Sequence, residues 1–115
     1  MASAGAAELV FVVDVSALTS KGFVGSTEYE GDKVDLSFDD ANSGVFLNSE
    51  MAGRLHVKKG SRVSIIIEGD NNQVAETAVA SVGKSLRISD ARVYYAVGRE
   101  GGAVIRVRKS QAPAT

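Results

Sequence analysis

The chain has no cysteine, no tryptophan and a single proline. The lack of cysteine excludes disulfides, thiolate metal sites and cysteine nucleophiles, and it is compatible with a reducing compartment, so we expect a cytoplasmic protein. The twelve glycines and the near absence of proline favour short strands joined by tight turns over long helices.

Long hydrophobic runs are also missing, since no stretch approaches the ~20 apolar residues of a membrane span, and we expect no membrane partner. The first residues, "MASAGAAELVFVVDVS", lack a positive region, and Asp14 interrupts their apolar run, so we expect no secretory signal. A chain of 115 residues suits one domain. We therefore predict a single β-barrel domain over residues 8–109, between disordered tails at 1–7 and 110–115.

Motifs that carry chemistry are scarce. His56 is the only histidine, and no orienting carboxylate or second ligand can be recognised beside it in the sequence. The chain has no nucleophile elbow, no phosphate-binding loop and no zinc spacing, and its acidic stretches lack the order of a calcium loop. We predict no catalytic residue, no metal and no cofactor.

Alternating apolar residues predict strands along most of the chain. "ELVFVVDVS" has the pattern of a buried strand, and Val34, Leu36 and Phe38 alternate with polar residues. The segment 45–67 predicts a strand, a short helix capped by Asn48 or Ser49, a corner at Gly60 and another strand. Residues 83–91 predict a bend. We therefore expect an all-β fold, a small closed or partly open barrel of six to seven short strands with one short helix.

The segment "RVYYAVGREGGAVIRVRK" predicts a terminal hairpin. Placing both apolar faces inward fixes the register. The predicted pairs are Val97 with Ala103, Tyr95 with Ile105 and Val93 with Val107, and they enclose a loop of Arg99, Glu100 and Gly101. This register sets Tyr94 beside Arg106 and Arg92 beside Arg108 on the outer face.

Charge is distributed unevenly along the chain. Residues 1–50 contain two lysines against nine acidic residues, a net charge of −7. Residues 51–115 contain eleven lysines and arginines against five acidic residues, a net charge of +6. Either the two halves neutralise one another within one barrel, or the surface is dipolar and attracts an anionic partner or another copy of the chain.

The basic residues of the second half form the candidate site. They lie on the outside of the predicted hairpin and around the Gly60 corner. An arginine–tyrosine surface can bind a phosphate backbone and stack a base. The candidate nucleic-acid or anion-binding residues are Arg92, Tyr94, Arg106, Arg108, Lys109, Lys58, Lys59 and Arg62.

The pattern "LNSEMAGRLHVKKGSRVSI" resembles the strand–helix–turn–strand unit of the cradle-loop barrels, which include AbrB-like and double-psi β-barrel proteins. Asn48, His56 and Ser61 stand where that unit usually has proline, glycine and aspartate. The resemblance implies a small closed barrel. It does not carry over DNA binding, because the preceding stretch "KVDLSFDDANSG" is acidic. The matching positions are Leu47, Met51, Leu55, Val57, Gly60, Val63 and Ile65.

These observations predict a non-enzymatic β-barrel binding or interaction module that self-associates as a homo-oligomer. One alternative is a nucleic-acid-associated regulator that uses the basic terminal hairpin. Another is a small-substrate enzyme without a recognisable catalytic motif.

Overall fold

A computed structural model describes residues 7–18, 22–69 and 72–110. The protein is mostly β and forms a closed barrel, as the sequence predicts. The predicted count is wrong, because the described residues form eight strands and two helices instead of six to seven strands and one helix. The elements are β1 (Glu8–Leu18), β2 (Gly22–Tyr29), β3 (Asp32–Asp39), β4 (Gly44–Asn48), α1 (Ser49–Leu55), β5 (Arg62–Ile67), β6 (Gln73–Gly83), β7 (Arg87–Ser89), α2 (Ala91–Glu100) and β8 (Gly102–Lys109).

The predicted tails fall almost entirely outside the described residues. Only Ala7 and Ser110 of the two tails are described. The amide of Ser110 donates a hydrogen bond to the carbonyl of Arg62 at 3.0 Å, which extends the pairing of β8 with β5 by one residue.

The barrel interlocks two similar halves. Its strand order is β1-β2-β3-β7-β4-β6-β5-β8, and β8 pairs with β1 to close it. Each half is an antiparallel hairpin followed by a short strand and a helix: β2, β3, β4 and α1, then β5, β6, β7 and α2. Each short strand pairs in parallel with the other half's hairpin, β4 with β6 and β7 with β3. Because pairing crosses between halves, neither half completes its sheet alone.

The core fills the barrel with alternate side chains from every long strand. Leu9, Phe11 and Val13 of β1 point inward, whereas Val10 and Val12 between them point outward. Ile65 and Ile105, both expected inside, are fully buried. Burial of such a side chain contributes about 1.5–3 kcal/mol, so this alternation holds the barrel closed.

Helix α1 lies where the sequence predicts it. The Asn48 side chain accepts a hydrogen bond from the Met51 amide at 2.8 Å, which caps the first turn. Met51 and Leu55 are buried against the barrel. The helix ends at His56, which has left-handed backbone torsions of φ 58° and ψ 44°.

The predicted terminal hairpin is wrong. Its first strand is the helix α2, so the three predicted pairs do not form, and Tyr95 is 59% exposed instead of facing the core. Val93 and Val97 are buried as predicted, because a spacing of four residues places two side chains on one face of a helix as well as of a strand. The carboxylate of Asp90 caps the helix by accepting from the amides of Arg92 and Val93.

Strand β8 therefore has different neighbours from those expected. It pairs with β1 on one side, where Phe11 lies opposite Ile105, and with β5 on the other, where Ile65 lies opposite Val107. The predicted bend at residues 83–91 contains β7, whose three residues pair with both β3 and β4. Such a short strand forms because it has a neighbour on both sides, and that information is not local to its sequence.

Candidate functional site

The structure divides the candidate basic residues among three places. Arg106 and Arg108 lie on the outer face of β8, and Arg92 lies in the first turn of α2. Tyr94 packs against the ring of Phe23 in β2, away from the β8 arginines. Of the other four residues, Lys58 and Lys59 lie in the turn between α1 and β5, Arg62 begins β5 and Lys109 ends β8.

The two β8 arginines are paired with carboxylates. Arg106 donates to Glu8 at 2.7 Å and also to Glu68, and Arg108 donates to Glu8 at 3.1 Å. The hydrogen bonds that Arg106 donates to Glu68 and Glu8 raise the pKa of its guanidinium above its usual range. A phosphate approaching these arginines competes with carboxylates already in contact with them.

Arg92 is also paired with a carboxylate, that of Asp90 at the N-terminus of its own helix. Its guanidinium lies 2.8 Å from the Asp90 carboxylate and donates to the carbonyl of Glu76 at 3.0 Å. The hydrogen bond with Asp90 raises the pKa of Arg92. Its guanidinium therefore links the N-terminus of α2 to β6.

Ion pairs neutralise much of the charge difference between residues 1–50 and residues 51–115. Four of the six described ion pairs join a carboxylate of residues 1–50 to an arginine of residues 51–115. This pattern supports neutralisation within one barrel over a dipolar surface. The four pairs are Glu30–Arg54, Asp39–Arg87, Glu8–Arg106 and Glu8–Arg108.

The remaining cations form a basic end of the barrel, defined here as Lys58, Lys59, Arg62 and Lys109. Lys109 lies opposite Val63 in the β5–β8 register, and the Ser110 amide donates to the Arg62 carbonyl. None of the four forms an ion pair with another described residue. The charge of Arg62 helps to lower the pKa of Glu76, so the cations of this end that interact least with described carboxylates are the three lysines.

A more distinctive site lies where α2 crosses β2 and the end of β1. This aromatic cleft is about 460 Å³ in volume. Its floor is a row of rings that begins in the core: Phe38 and Phe23 have centroids 4.9 Å apart, and Phe23 and Tyr94 lie 5.2 Å apart. Tyr95 meets Tyr94 edge-on at 5.1 Å. The lining residues are Leu18, Phe23, Tyr94, Tyr95, Gly98 and Arg99.

The aromatic cleft exposes apolar surface. Leu18 is 85% exposed, the highest value among the large apolar side chains of the described residues, and Tyr95 lies on the same cleft. Arg99 stands at the rim and forms no ion pair with another described residue. The cleft therefore offers a ligand aromatic and aliphatic contact, with one cation beside it.

Gly98 allows the helix to approach the floor of the cleft. A Cβ atom at this position lies 3.2 Å from Cε2 of Phe23, closer than ordinary van der Waals contact. The prediction of a strand missed this site, because it placed Tyr95 in the core. The signal in the sequence is helical: Tyr94, Tyr95 and Gly98 share one face at spacings of three and four residues.

The ionisable groups elsewhere are engaged in holding the fold. Burial raises the pKa of Asp39, but hydrogen bonds from Ser89 and the Ala41 amide, with the charge of Arg87, lower it overall. Hydrogen bonds from Ser64 and Ser110 lower the pKa of Glu76. In contrast, a hydrogen bond with Glu30 raises the pKa of the exposed Glu50.

His56 caps the end of α1 with an exposed side chain. Among residues 7–18, 22–69 and 72–110, no group of three His, Cys, Asp or Glu side chains is placed to hold a metal ion. Neither α1 nor α2 has the length and apolar character needed to cross a membrane.

Comparison of the chain with protein-family models, with curated proteins and with solved structures gave no match. Functional inference therefore depends on the surface of this barrel alone.

Proposed function

We propose that the protein is a non-enzymatic β-barrel interaction module that self-associates through the aromatic cleft. The observation that carries this proposal is the exposure of Leu18 and Tyr95 on one cleft whose floor continues into the core. Exposed apolar side chains that share one cleft support an interaction site there.

A second copy suits the cleft because a two-fold contact needs only one patch that is complementary to itself. Each copy supplies the projecting Leu18 side chain and the ring surface that receives it. Arg99 and Glu100 are adjacent and exposed, so a two-fold axis between them allows reciprocal opposite-charge contacts.

The expected affinity is modest. Burial of four large side chains across the interface contributes about 6–12 kcal/mol. Association itself costs an estimated 4–15 kcal/mol in lost freedom. We therefore expect a dimer that dissociates at low protein concentration.

Sedimentation velocity over a range of protein concentrations, in low and in high salt, tests this proposal. We expect dimers in both conditions, because apolar contacts persist when salt screens charges. Tyr95→Ser and Leu18→Ser shift the equilibrium to monomers. Val74→Ser is the matched control, since Val74 is 56% exposed on β6 and does not line the aromatic cleft. A monomer in both salts, or equal loss with Val74→Ser, contradicts self-association through this cleft.

The basic end supports a second candidate, a nucleic-acid-associated regulator. Its four cations lack ion pairs among the described residues, whereas Arg92, Arg106 and Arg108 have them. Titration of labelled DNA and RNA with a Lys58→Ala/Lys59→Ala double variant tests this role. Binding that weakens in this variant, but not in an Arg106→Ala/Arg108→Ala variant, supports the basic end. Equal binding by all three proteins rules it out.

We also propose that residues 45–67 form a cradle-loop barrel unit. The sequence of β4, α1 and β5, with β4 parallel to β6, supports this assignment. The absence of cysteine supports a cytoplasmic location. An experimental structure whose topology differs in these elements overturns the unit, and fractionation of the native cell tests the location.

A further inference from the structure

Among the residues that the structure describes, strand β1 has no pairing partner along part of one edge. On one side it pairs with β8 from Glu8 to Asp14. On the other side its register with β2 begins only at Asp14, which lies opposite Ser26. Within the described part of the chain, residues 8–13 therefore have no paired strand on the β2 side, and we call this opening the wall split.

The main-chain groups that face the wall split can be identified from the ladder. The Val15 amide donates to the Gly101 carbonyl at 3.1 Å, so odd-numbered residues of β1 bond to β8. In an antiparallel ladder alternate residues bond to opposite neighbours. The N–H and C=O groups of Val10 and Val12 therefore point into the wall split.

The other edge of β8 confirms this alternation. The Glu68 amide donates to the Val104 carbonyl at 3.0 Å. The main-chain N–H and C=O groups of even-numbered β8 residues therefore point to β5, and those of odd-numbered residues point to β1. Phe11 and Ile105, opposite one another in the register, thus exchange their hydrogen bonds. Nothing on the β8 side remains for the amides of Val10 and Val12.

The wall split opens onto a cleft of about 490 Å³ with an acidic rim. Val12 is 60% exposed and Val10 is 39% exposed beside it. The exposed Asp35 lies opposite Ser26 in the β2–β3 register. The rim therefore has three carboxylates, those of Asp14, Glu28 and Asp35, and one lysine, Lys33. The lining residues are Val12, Asp14, Ser26, Thr27, Glu28 and Lys33.

We propose that the wall split accepts an extended basic peptide, which adds to the edge of β1 as a strand. An exposed edge is a template for strand addition, with main-chain hydrogen bonds giving affinity and alternate side chains giving specificity. Because alternate side chains of a strand point to opposite faces, the cations of the peptide lie on the outer face beside Val10 and Val12 and face Asp14 and Glu28, and its apolar side chains point to the inner face. A second copy fits less well, because antiparallel pairing of two β1 edges places carboxylates near carboxylates.

This inference uses a surface separate from the aromatic cleft and does not depend on self-association. Of the lining residues, none is shared between the two clefts. The Tyr95→Ser protein therefore serves as a background in which peptide binding persists after self-association is lost.

Amide hydrogen exchange measured by NMR tests the edge directly in the wild-type protein. We expect the amides of Val10 and Val12 to exchange much faster than those of Phe11 and Val13, which bond to β8. Equal protection of all four amides in the free monomer overturns the proposal, because it shows that the edge is already paired.

The ligand probe is a synthetic peptide of three alternating Lys-Val units with blocked ends. Two controls are the same peptide with glutamate for lysine and the same peptide N-methylated at alternate residues. We expect the basic peptide to protect the amides of Val10 and Val12. N-methylation on the bonding edge weakens binding about tenfold or more, because main-chain hydrogen bonds are lost. If the methylated peptide binds as tightly as the unmethylated one, strand addition is overturned and charge attraction alone accounts for the binding.

Two variants locate the peptide on the protein. Val12→Lys keeps the edge amide but repels a basic peptide, so we expect about tenfold weaker binding of the probe. Val74→Lys adds the same charge at a similarly exposed position of β6 and leaves binding unchanged. Equal effects of the two variants place the peptide elsewhere. If the amides of Val10 and Val12 become protected without peptide as the protein concentration rises, the occupant is a second copy of the chain. This result also overturns the proposal.

Discussion

Helices α1 and α2 occupy equivalent places in the two halves of the barrel but differ in their sequences. Each follows a short strand, begins at a side-chain cap and ends at a residue with left-handed torsions. The N-cap is Asn48 in α1 and Asp90 in α2, and the C-cap, the residue that directly follows the helix, is His56 in α1 and Gly101 in α2. Each helix also has one interior glycine. Gly53 of α1 has open space around it, whereas Gly98 of α2 packs on the ring of Phe23.

The comparison shows that the fold can hold a helix whose composition resembles that of a strand. The β-branched and aromatic residues of α2 have high strand propensity, and two of them, Val93 and Val97, repeat with a spacing that suits both structures. The caps decide between the two outcomes. Asp90 satisfies two of the free amides of the first turn, and Gly101 adopts φ 76° at the end without a side-chain penalty.

The largest expected effect is at the cap of α2. Asp90→Ala removes a carboxylate that is 3% exposed, accepts from two helix amides and pairs with Arg92. We expect a loss of about 2–3 kcal/mol in the free energy of unfolding, measured with urea. Asn48→Ala at the cap of α1 removes one hydrogen bond and costs about 1 kcal/mol. Equal losses at the two caps contradict the greater dependence of α2 on its cap.

The pH dependence of stability sharpens the same comparison. Burial raises the pKa of Asp90, but the hydrogen bonds and charge of Arg92, together with the helix amides, lower it overall. A carboxyl whose pKa is lower in the folded state stabilises the fold at neutral pH. That contribution is lost as the pH falls below the ordinary range of an aspartate and through the lowered pKa.

Asp90→Asn keeps an N-cap side chain but cannot ionise, so it isolates this effect. We expect the stability difference between wild type and Asp90→Asn to be largest near pH 7. It shrinks in acid, because only the wild type loses an ionised carboxylate there. Urea titrations of both proteins at matched pH values measure the difference. A difference that stays constant from pH 7 to strongly acidic conditions contradicts ionisation of Asp90 as its source.

Much of the barrel could be predicted from the sequence, because its long strands alternate apolar and polar residues. Leu36, Phe38 and Val63 are buried as their alternation indicates. Helix α1 could also be predicted, from the candidate caps Asn48 and Ser49 and from the four-residue spacing of Met51 and Leu55. Helix α2 and β7 could not be predicted by this approach, since one pattern fits two periods and the three residues of β7 depend on neighbours distant in sequence.

The candidate site was less predictable than the fold. The basic residues were identified by type, but their pairing depends on carboxylates such as Glu8, which is about one hundred residues away along the chain. The aromatic cleft joins Leu18, Phe23 and the two tyrosines of α2 from three elements. It cannot be inferred when residues 92–98 are interpreted as a strand and residues 99–101 as its loop. Correct recognition of Asp90 as a cap would have placed Tyr95 on the surface.

The interior glycines of the two helices provide a smaller test. Gly53→Ala adds a methyl group that meets no atom within 4 Å, so we expect a gain of about 0.5–1 kcal/mol from helix propensity. At Gly98 the same substitution places Cβ 3.2 Å from the Phe23 ring, so the gain is cancelled or reversed. Thermal unfolding of both variants measures the contrast. A full gain at Gly98 shows that α2 packs more loosely on β2 than described.

The smallest expected effect is at His56, the residue that directly follows α1. His56 adopts φ 58°, a conformation that costs a residue with a side chain about 1–2 kcal/mol and costs glycine little. His56→Gly relieves that strain but adds freedom to the unfolded chain, so we expect a net gain of about 0.5 kcal/mol. Gly101→His makes the opposite change at the end of α2 and costs about 1 kcal/mol. His56→Ala, which keeps the strain and removes only the ring, separates torsional strain from imidazole contacts. If His56→Ala stabilises the protein as much as His56→Gly, the unfavourable term belongs to the imidazole, and the backbone of α1 then ends without strain.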